Sequence, residues 1–170
     1  MAQQVILVDE KDNAIGTGEK ITVHKNGQLH RAFSVFIFNS KGELLLQQRA
    51  LSKYHSPGLW SNTCCGHPKP DEPIDSAARR GLKEEMGIEA DLKELFSFIY
   101  KVPFPNGLSE NEYLHVFAGR FDGSPQPSPQ EAANWKWVDT AWLKKDIKEN
   151  PDNYTYWFRL DFEKAIALAL

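Results

Sequence analysis

The chain has only two cysteines in 170 residues, Cys64 and Cys65. Because they are adjacent, they cannot staple distant segments as disulfides do in small secreted domains. No apolar run approaches the roughly 20 residues needed to cross a bilayer, which argues against a membrane protein. The opening MAQQVILVDEKDN has no basic stretch leading into an apolar run and a cleavage site, so no secretory leader is expected and the cytoplasm is. Positive charge is not in excess either. A net charge of -3 with 25% charged residues and no polybasic tail gives nucleic acid nothing to hold. There is no internal repeat and no low-complexity tract. What remains is an ordinary globular composition, 41% hydrophobic, over a length that buries one substantial core, so one domain spanning 1-170 is expected.

The hydrophobic pattern sets out the elements. VILVD (5-9) reads as a short strand. RAFSVFIF (31-38) and ELLLQQR (43-49), joined by NSKG, read as a hairpin, with Arg49 at a strand end. A Ser, Pro and Gly loop leads through GLWSNT into CCGHP. DEPIDSAARRGLKEEMG then reads as a helix of about three turns, capped by Asp71 or Glu72, with Pro73 in its first turn and Gly87 as its stop. Ala77, Ala78, Leu82 and Met86 form the stripe it buries. LKELFSFIYKV (92-102) and ENEYLHVFAGRF (110-121) are further strands around the turn PFPNGLS. WKWVD (135-139) is a last strand. TAWLKKDIKEN and YWFRLDFEKAIALAL are closing helices. The fold class this implies is α/β (α+β), a mixed sheet sandwiched between helices.

One spacing carries chemistry. After Gly66 come Glu72 six residues on, Arg80 eight further, then Glu84, Glu85 and Gly87. The pattern resembles the Nudix box, in which a strand, loop and helix turn carboxylates toward divalent ions on a diphosphate. Gly81 departs from it, since a Nudix hydrolase has a glutamate there, so hydrolysis is disfavoured. A mid-helix glycine is also costly by about 1 kcal/mol, which suggests that another group approaches it closely. The bland reading of Arg80 and Glu84 is an ion pair on a solvated helix face.

The surrounding residues narrow the family. EK, LHRAFS, RALSK, PGLWSNT, CGHP and ENE occur in that order between Lys20 and about Trp157, and together they resemble type I isopentenyl-diphosphate isomerase. That resemblance implies a Nudix-like sandwich and the interconversion of isopentenyl and dimethylallyl diphosphate by proton transfer. It implies a metal site of His24, His30, His67, Glu110 and Glu112 taking Mn²⁺, Mg²⁺ or Zn²⁺, and a Mg²⁺ carried with the diphosphate near Glu85 and the Cys65 backbone carbonyl. Lys20, Arg49 and Lys53 are the implied diphosphate contacts, with Arg80 a stand-in for the arginine the family commonly has at Gly81. Cys65 and Glu112 are the implied proton carriers, Tyr100 steadies Glu112, and Trp157 lies over the cation. Either of the two could be the forward acid, with Glu112 favoured. The implied partner is a small diphosphate, with the chain acting as a monomer. A Nudix diphosphohydrolase and an inactive metal-stabilised binding module are the alternatives. Trp60 and Trp135 are read as core, and Cys64 as a bystander.

Overall fold

The computed structural model describes residues 1-170. In chain order the elements are β1 (Gln4–Val8), β2 (Ala14–Glu19), α1 (Lys20–Asn26), β3 (His30–Phe38), β4 (Leu44–Arg49), β5 (Trp60–Ser61) and β6 (Cys64–Gly66). They continue with α2 (Ile74–Met86), β7 (Leu92–Pro103), β8 (Ser109–Arg120), β9 (Ala132–Val138), α3 (Thr140–Glu149) and α4 (Tyr156–Ala169). No helix is long and apolar enough to cross a membrane.

β3 is the axis of the sheet. One edge runs parallel to β8 over its whole length, from His30 beside Glu112 to Phe38 beside Arg120. Its other edge is shared by three strands in turn: β1 at His30, β6 at Phe33 to Val35, and β4 only at Phe38. The expected hairpin of residues 31-49 is therefore present at its turn and lost beyond it. Asn39 holds that turn by accepting from the backbone of Lys41 and Glu43. Past one pair the strands part, and β4 takes β9 as its ladder partner instead. Thr63 fills the opening. Its hydroxyl accepts from the Ile37 N–H at 2.9 Å and donates to the Leu45 carbonyl at 2.7 Å, so a side chain bridges what ladder bonds would have joined.

Alternation along β3 divides the core in two. Phe36 and Phe38 face the helices at the C-terminal end and pack with Phe158 and Phe162 of α4. Phe33, Val35 and Ile37 face α2 and its buried Ala77, Ala78, Leu82 and Met86. The mixed sheet with helices on both faces is the expected class. Trp60 and Trp135 are partly buried against these two clusters, and Cys64 is buried in the second.

α2 corrects one expectation. Gly87 ends it in the left-handed conformation (φ 65), its N–H bonded to the Lys83 carbonyl, as the sequence suggests. Neither Asp71 nor Glu72 caps its start, however. Pro73 is the N-cap and makes no side-chain bond, Asp71 sits in a turn at φ 63, and the Glu72 carboxylate goes to the stronger partner, the Arg80 guanidinium, at 2.7 and 2.9 Å. β2 and α1 had no clear sequence signal. α1 forms because Glu19 accepts from the backbone N–H groups of Ile21 and Thr22 at 3.0 and 2.8 Å, satisfying amides that a helix start leaves orphaned.

Gly81 is where the close approach occurs. A Cβ there would stand 2.5 Å from the tip of the Phe33 ring, and one at Gly66 would stand 2.7 Å from it. Phe33 is thus slotted between two glycines, one on β6 and one on α2. Gly81→Ala should gain about 1 kcal/mol of helix propensity and lose about 1–3 kcal/mol to overpacking, a net destabilisation in urea unfolding. Pairing it with Phe33→Leu should recover part of the loss.

Candidate metal centre and active site

Five side chains from four separated segments meet in the interior. His24 comes from α1, His30 from the start of β3, His67 from just beyond β6, and Glu110 and Glu112 from one face of β8, while Asn111 points the other way to donate to the Gly27 carbonyl. One ligating atom from each lies within 4.8 Å of all the others, and all five residues are buried. Neighbouring pairs include His24 Nε2 and Glu110 Oε2 at 3.1 Å, and His67 Nε2 and Glu112 Oε1 at 3.2 Å.

The chemistry of this donor set fits a divalent cation. His24 Nδ1–H donates to the Lys20 carbonyl at 2.6 Å and His30 Nδ1–H to the Gln28 carbonyl at 2.9 Å. Those bonds leave lone pairs on both Nε2 atoms, which face two carboxylates and the Nε2 of His67 at 3.2 Å from His30. Burial, then repulsion from Glu112, pushes Glu110 up to about 7. Burial would raise Glu112 too, but its contacts with the His67 and His30 imidazoles, 3.2 and 3.7 Å away, outweigh it and hold it below the usual carboxylate range. Burial pushes His67 down to about 3, leaving it neutral and able to ligate. So many acceptors with so few protons are mutually repulsive unless a cation stands among them.

A cavity of about 450 Å³ opens beside the cluster. Every residue the sequence assigned to the site lines it except His24 and His30, which lie behind its wall fully buried. Cys65 and Glu112 reach it from β6 and β8, the strands on either side of β3. Both cysteines are free thiols. The Cys65 thiol donates to Asn62 Oδ1 at 3.2 Å, and burial pushes it above its ordinary range, so it stays protonated. The Tyr100 hydroxyl donates to Glu112 Oε2 at 2.9 Å, the contact expected of it. Trp157 is 4% exposed, with its Nε1–H fixed on Ser61 Oγ at 3.1 Å.

Comparison with known proteins follows this geometry closely. The NUDIX domain model matches residues 28–158. A protein of Aromatoleum aromaticum, isopentenyl-diphosphate Delta-isomerase 1, is 55% identical over 98% of this chain and 94% of its own length. The isopentenyl-diphosphate Delta-isomerase of Serratia proteamaculans is 52% identical over 93% of this chain and 88% of its own. The chain belongs to the isopentenyl-diphosphate Delta-isomerase family. More distant solved structures share its fold. One from Deinococcus radiodurans has a TM-score of 0.72 at 23% identity, covering 87% of this chain and 90% of its own. The MutT protein of Methanosarcina mazei has 0.66 at 23%, covering 81% and 92%.

Within this isomerase-family chain the basic residues divide by what already holds them. Arg49 lies over the Trp157 ring at 5.3 Å, and its buried Nε has no partner. Burial, then the nearby Lys53, lowers the Lys20 ammonium, whose Nζ lies 5.6 Å from the Tyr54 ring centroid. Lys53 pairs with Glu131. Arg80, at the cavity wall, is engaged by Glu72, by Glu84 at 3.0 Å and by the His67 carbonyl at 3.2 Å, and so braces the CGHP loop against α2. Glu85 accepts from Gln47 at 3.1 Å, and burial with Glu131 nearby pushes it up to about 7.

Sequence reasoning missed His55. Its Nε2 lies 3.0 Å from Glu110 Oε1, its ring stacks on Phe104 at 4.7 Å, and burial, then Arg49, pushes it down to about 3. Its only signal was its place in RALSKYHSPG, between the basic residues and the box. Glu131 had none, lying in a loop 78 residues from Lys53.

The Arg80 brace predicts an acid-sensitive contribution to stability. Its hydrogen bond depresses Glu72, so stability is present above the ordinary value of 4.5 and is lost as the pH falls through the lowered one. Glu72→Gln should remove up to about 1 kcal/mol at neutral pH and flatten the acid limb of thermal melts between about pH 5 and 3.

Proposed function

We propose that this chain interconverts isopentenyl and dimethylallyl diphosphate, with Cys65 and Glu112 as the two proton carriers. The observation that carries this reading is that both groups line one cavity from strands flanking β3, beside a buried three-histidine, two-glutamate cluster. Identity of 55% across 98% of the chain to an isomerase supports the same conclusion. Gly81, closed over by Phe33, leaves no room for the carboxylate a hydrolase would carry there.

Isomerisation adds a proton to the terminal carbon of the alkene, forms a tertiary cation, and removes a proton from C2 so that the electron pair of that C–H bond becomes the new double bond. Burial favours the thiol form of Cys65, while the Tyr100 hydroxyl, and the cation the cluster would hold, favour the carboxylate form of Glu112. We therefore take Cys65 as donor and Glu112 as acceptor toward dimethylallyl diphosphate, the order the sequence reading left open and did not favour. Tyr100 keeps one Glu112 oxygen occupied and so limits how the other can turn. The Trp157 ring, fixed through Ser61, contributes about 0.5–2 kcal/mol to a nearby cation.

Arg49, Lys20 and, once released from Glu131, Lys53 hold the diphosphate. A Mg²⁺ carried with it would be held by Glu85 and the Cys65 carbonyl, and His24, His30, His67, Glu110 and Glu112 would hold Mn²⁺, Mg²⁺ or Zn²⁺. The ions would supply charge neutralisation and keep Glu112 ionised. We take residues 1-170 to work as one domain, as a monomer, in the cytoplasm.

Purified protein incubated with isopentenyl diphosphate and Mg²⁺ in deuterated water should place deuterium in the allylic product and release no phosphate. Phosphate release without label would instead identify a hydrolase. Cys65→Ala and Glu112→Gln should each lower kcat by at least about a thousandfold while a diphosphate still binds, and full activity in either would remove the role assigned to it. His55→Gln should weaken Mn²⁺ binding to metal-free protein by about 10–100-fold by calorimetry, because it loosens Glu110.

A further inference from the structure

A carboxylate stands where an anion is to bind. Glu131, in the turn that leads into β9, lines the same cavity as Lys20, Arg49 and Lys53, the three cations read as the diphosphate contacts. Its partner there is Lys53, and neither side chain makes another hydrogen bond or ion pair. The pair is only partly shielded, with the Lys53 and Glu131 side chains 21% and 33% exposed. An isolated ion pair that wet adds little to stability, so stability does not explain an acid in this place.

The backbone fixes Glu131 from both sides. Ala132 is the register partner of Arg49, and the Ala50 N–H donates to the Glu131 carbonyl at 3.0 Å, so the start of β9 sets Glu131 beside the turn that carries Lys53. Toward α2, the Glu131 N–H donates to the Ser128 carbonyl at 2.9 Å, and the Ser128 N–H donates to the Glu85 carbonyl at 2.8 Å. Glu131 is thus strung between Lys53 and the residue read as holding Mg²⁺. Lys53 can serve a diphosphate only by leaving Glu131, and the carboxylate then stands beside the bound anion with no cation of its own. Like charges that close repel, and more strongly against a protein wall than in bulk water. A divalent ion on the diphosphate offsets the excess, whereas a bare diphosphate brings no such offset.

We propose that Glu131 is a specificity-determining residue that makes the site favour the Mg²⁺ complex of a diphosphate over the bare anion. It occupies Lys53 while the cavity is empty, and it repels the diphosphate that displaces it unless Mg²⁺ offsets the charge. The inference rests on the isomerase reading, in which this cavity takes a diphosphate.

The test is calorimetric titration of the full chain, desalted into magnesium-free buffer, with isopentyl diphosphate, a saturated analogue that has no alkene to turn over. The parent should bind it at least about tenfold more tightly in excess Mg²⁺ than without. Glu131→Gln keeps the size and an oxygen for Lys53 but removes the charge. Its magnesium-free binding should be about tenfold tighter than the parent's, and the Mg²⁺ effect should shrink by at least about threefold. Glu131→Ala should shift binding in the same direction and carries the test if the glutamine variant does not fold. Glu131→Asp, which keeps the charge, should leave the parent's Mg²⁺ effect within about threefold. A merely structural role would weaken binding by the same factor in both buffers. That result, a magnesium-free affinity left at the parental value, a parent indifferent to Mg²⁺, or an aspartate variant that behaves as glutamine does would each overturn the proposal. A parent that binds no analogue even in excess Mg²⁺ would strike the isomerase reading and the inference with it, so the two failures are distinct.

Discussion

The parallel pairing of β3 with β8 is the contact on which the site depends. It sets His30 beside Glu112 at one end and runs unbroken to Phe38 beside Arg120. Alternation then turns Glu110 and Glu112 to the same side, and the opposite edge of β3 receives β6, which brings Cys65 level with Ser34. A slip of one residue in either ladder would turn Glu112 or Cys65 to the wrong face. β3 tolerates neighbours on both edges because it is buried almost throughout, with only Arg31 partly exposed.

The same pairing creates an electrostatic problem that the site turns to use. Carboxylates and imidazole lone pairs are packed into a volume from which water is excluded, so Glu110 and Glu112 respond in opposite directions, one raised and one lowered. Two like groups driven apart in this way can take different parts in proton chemistry. Glu110 is the one ringed by further contacts, with His24 on one oxygen and His55 on the other. Glu112 is shared between the imidazoles and Tyr100, and it faces the cavity.

The box helix shows how one scaffold is diverted. Glu85 keeps its place at the cavity wall, while Gly81 and Gly66 give their side-chain space to Phe33. An apolar ring then forms part of the lining where a hydrolase-type carboxylate would stand, in keeping with a substrate whose reacting end is a hydrocarbon. Arg80 ties the loop that carries His67 to the helix.

The periodicity of the long strands, the stripe of α2 and its glycine stop were legible in the sequence because they are local: each depends on residues within one or two turns of one another. The histidine and glutamate set, Cys65 and Tyr100 were legible through the ordered series of short motifs. What only the tertiary structure decided was everything set by partners far along the chain. β3 and β4 part because Thr63 can bridge them, Glu72 leaves the helix cap because Arg80 is a stronger partner, and His55 joins the cluster because a loop folds over Glu110. Asp161 looks like one more surface acid on an amphipathic helix. Only the packing of α4 against the sheet buries it, since burial is a property of the assembled core.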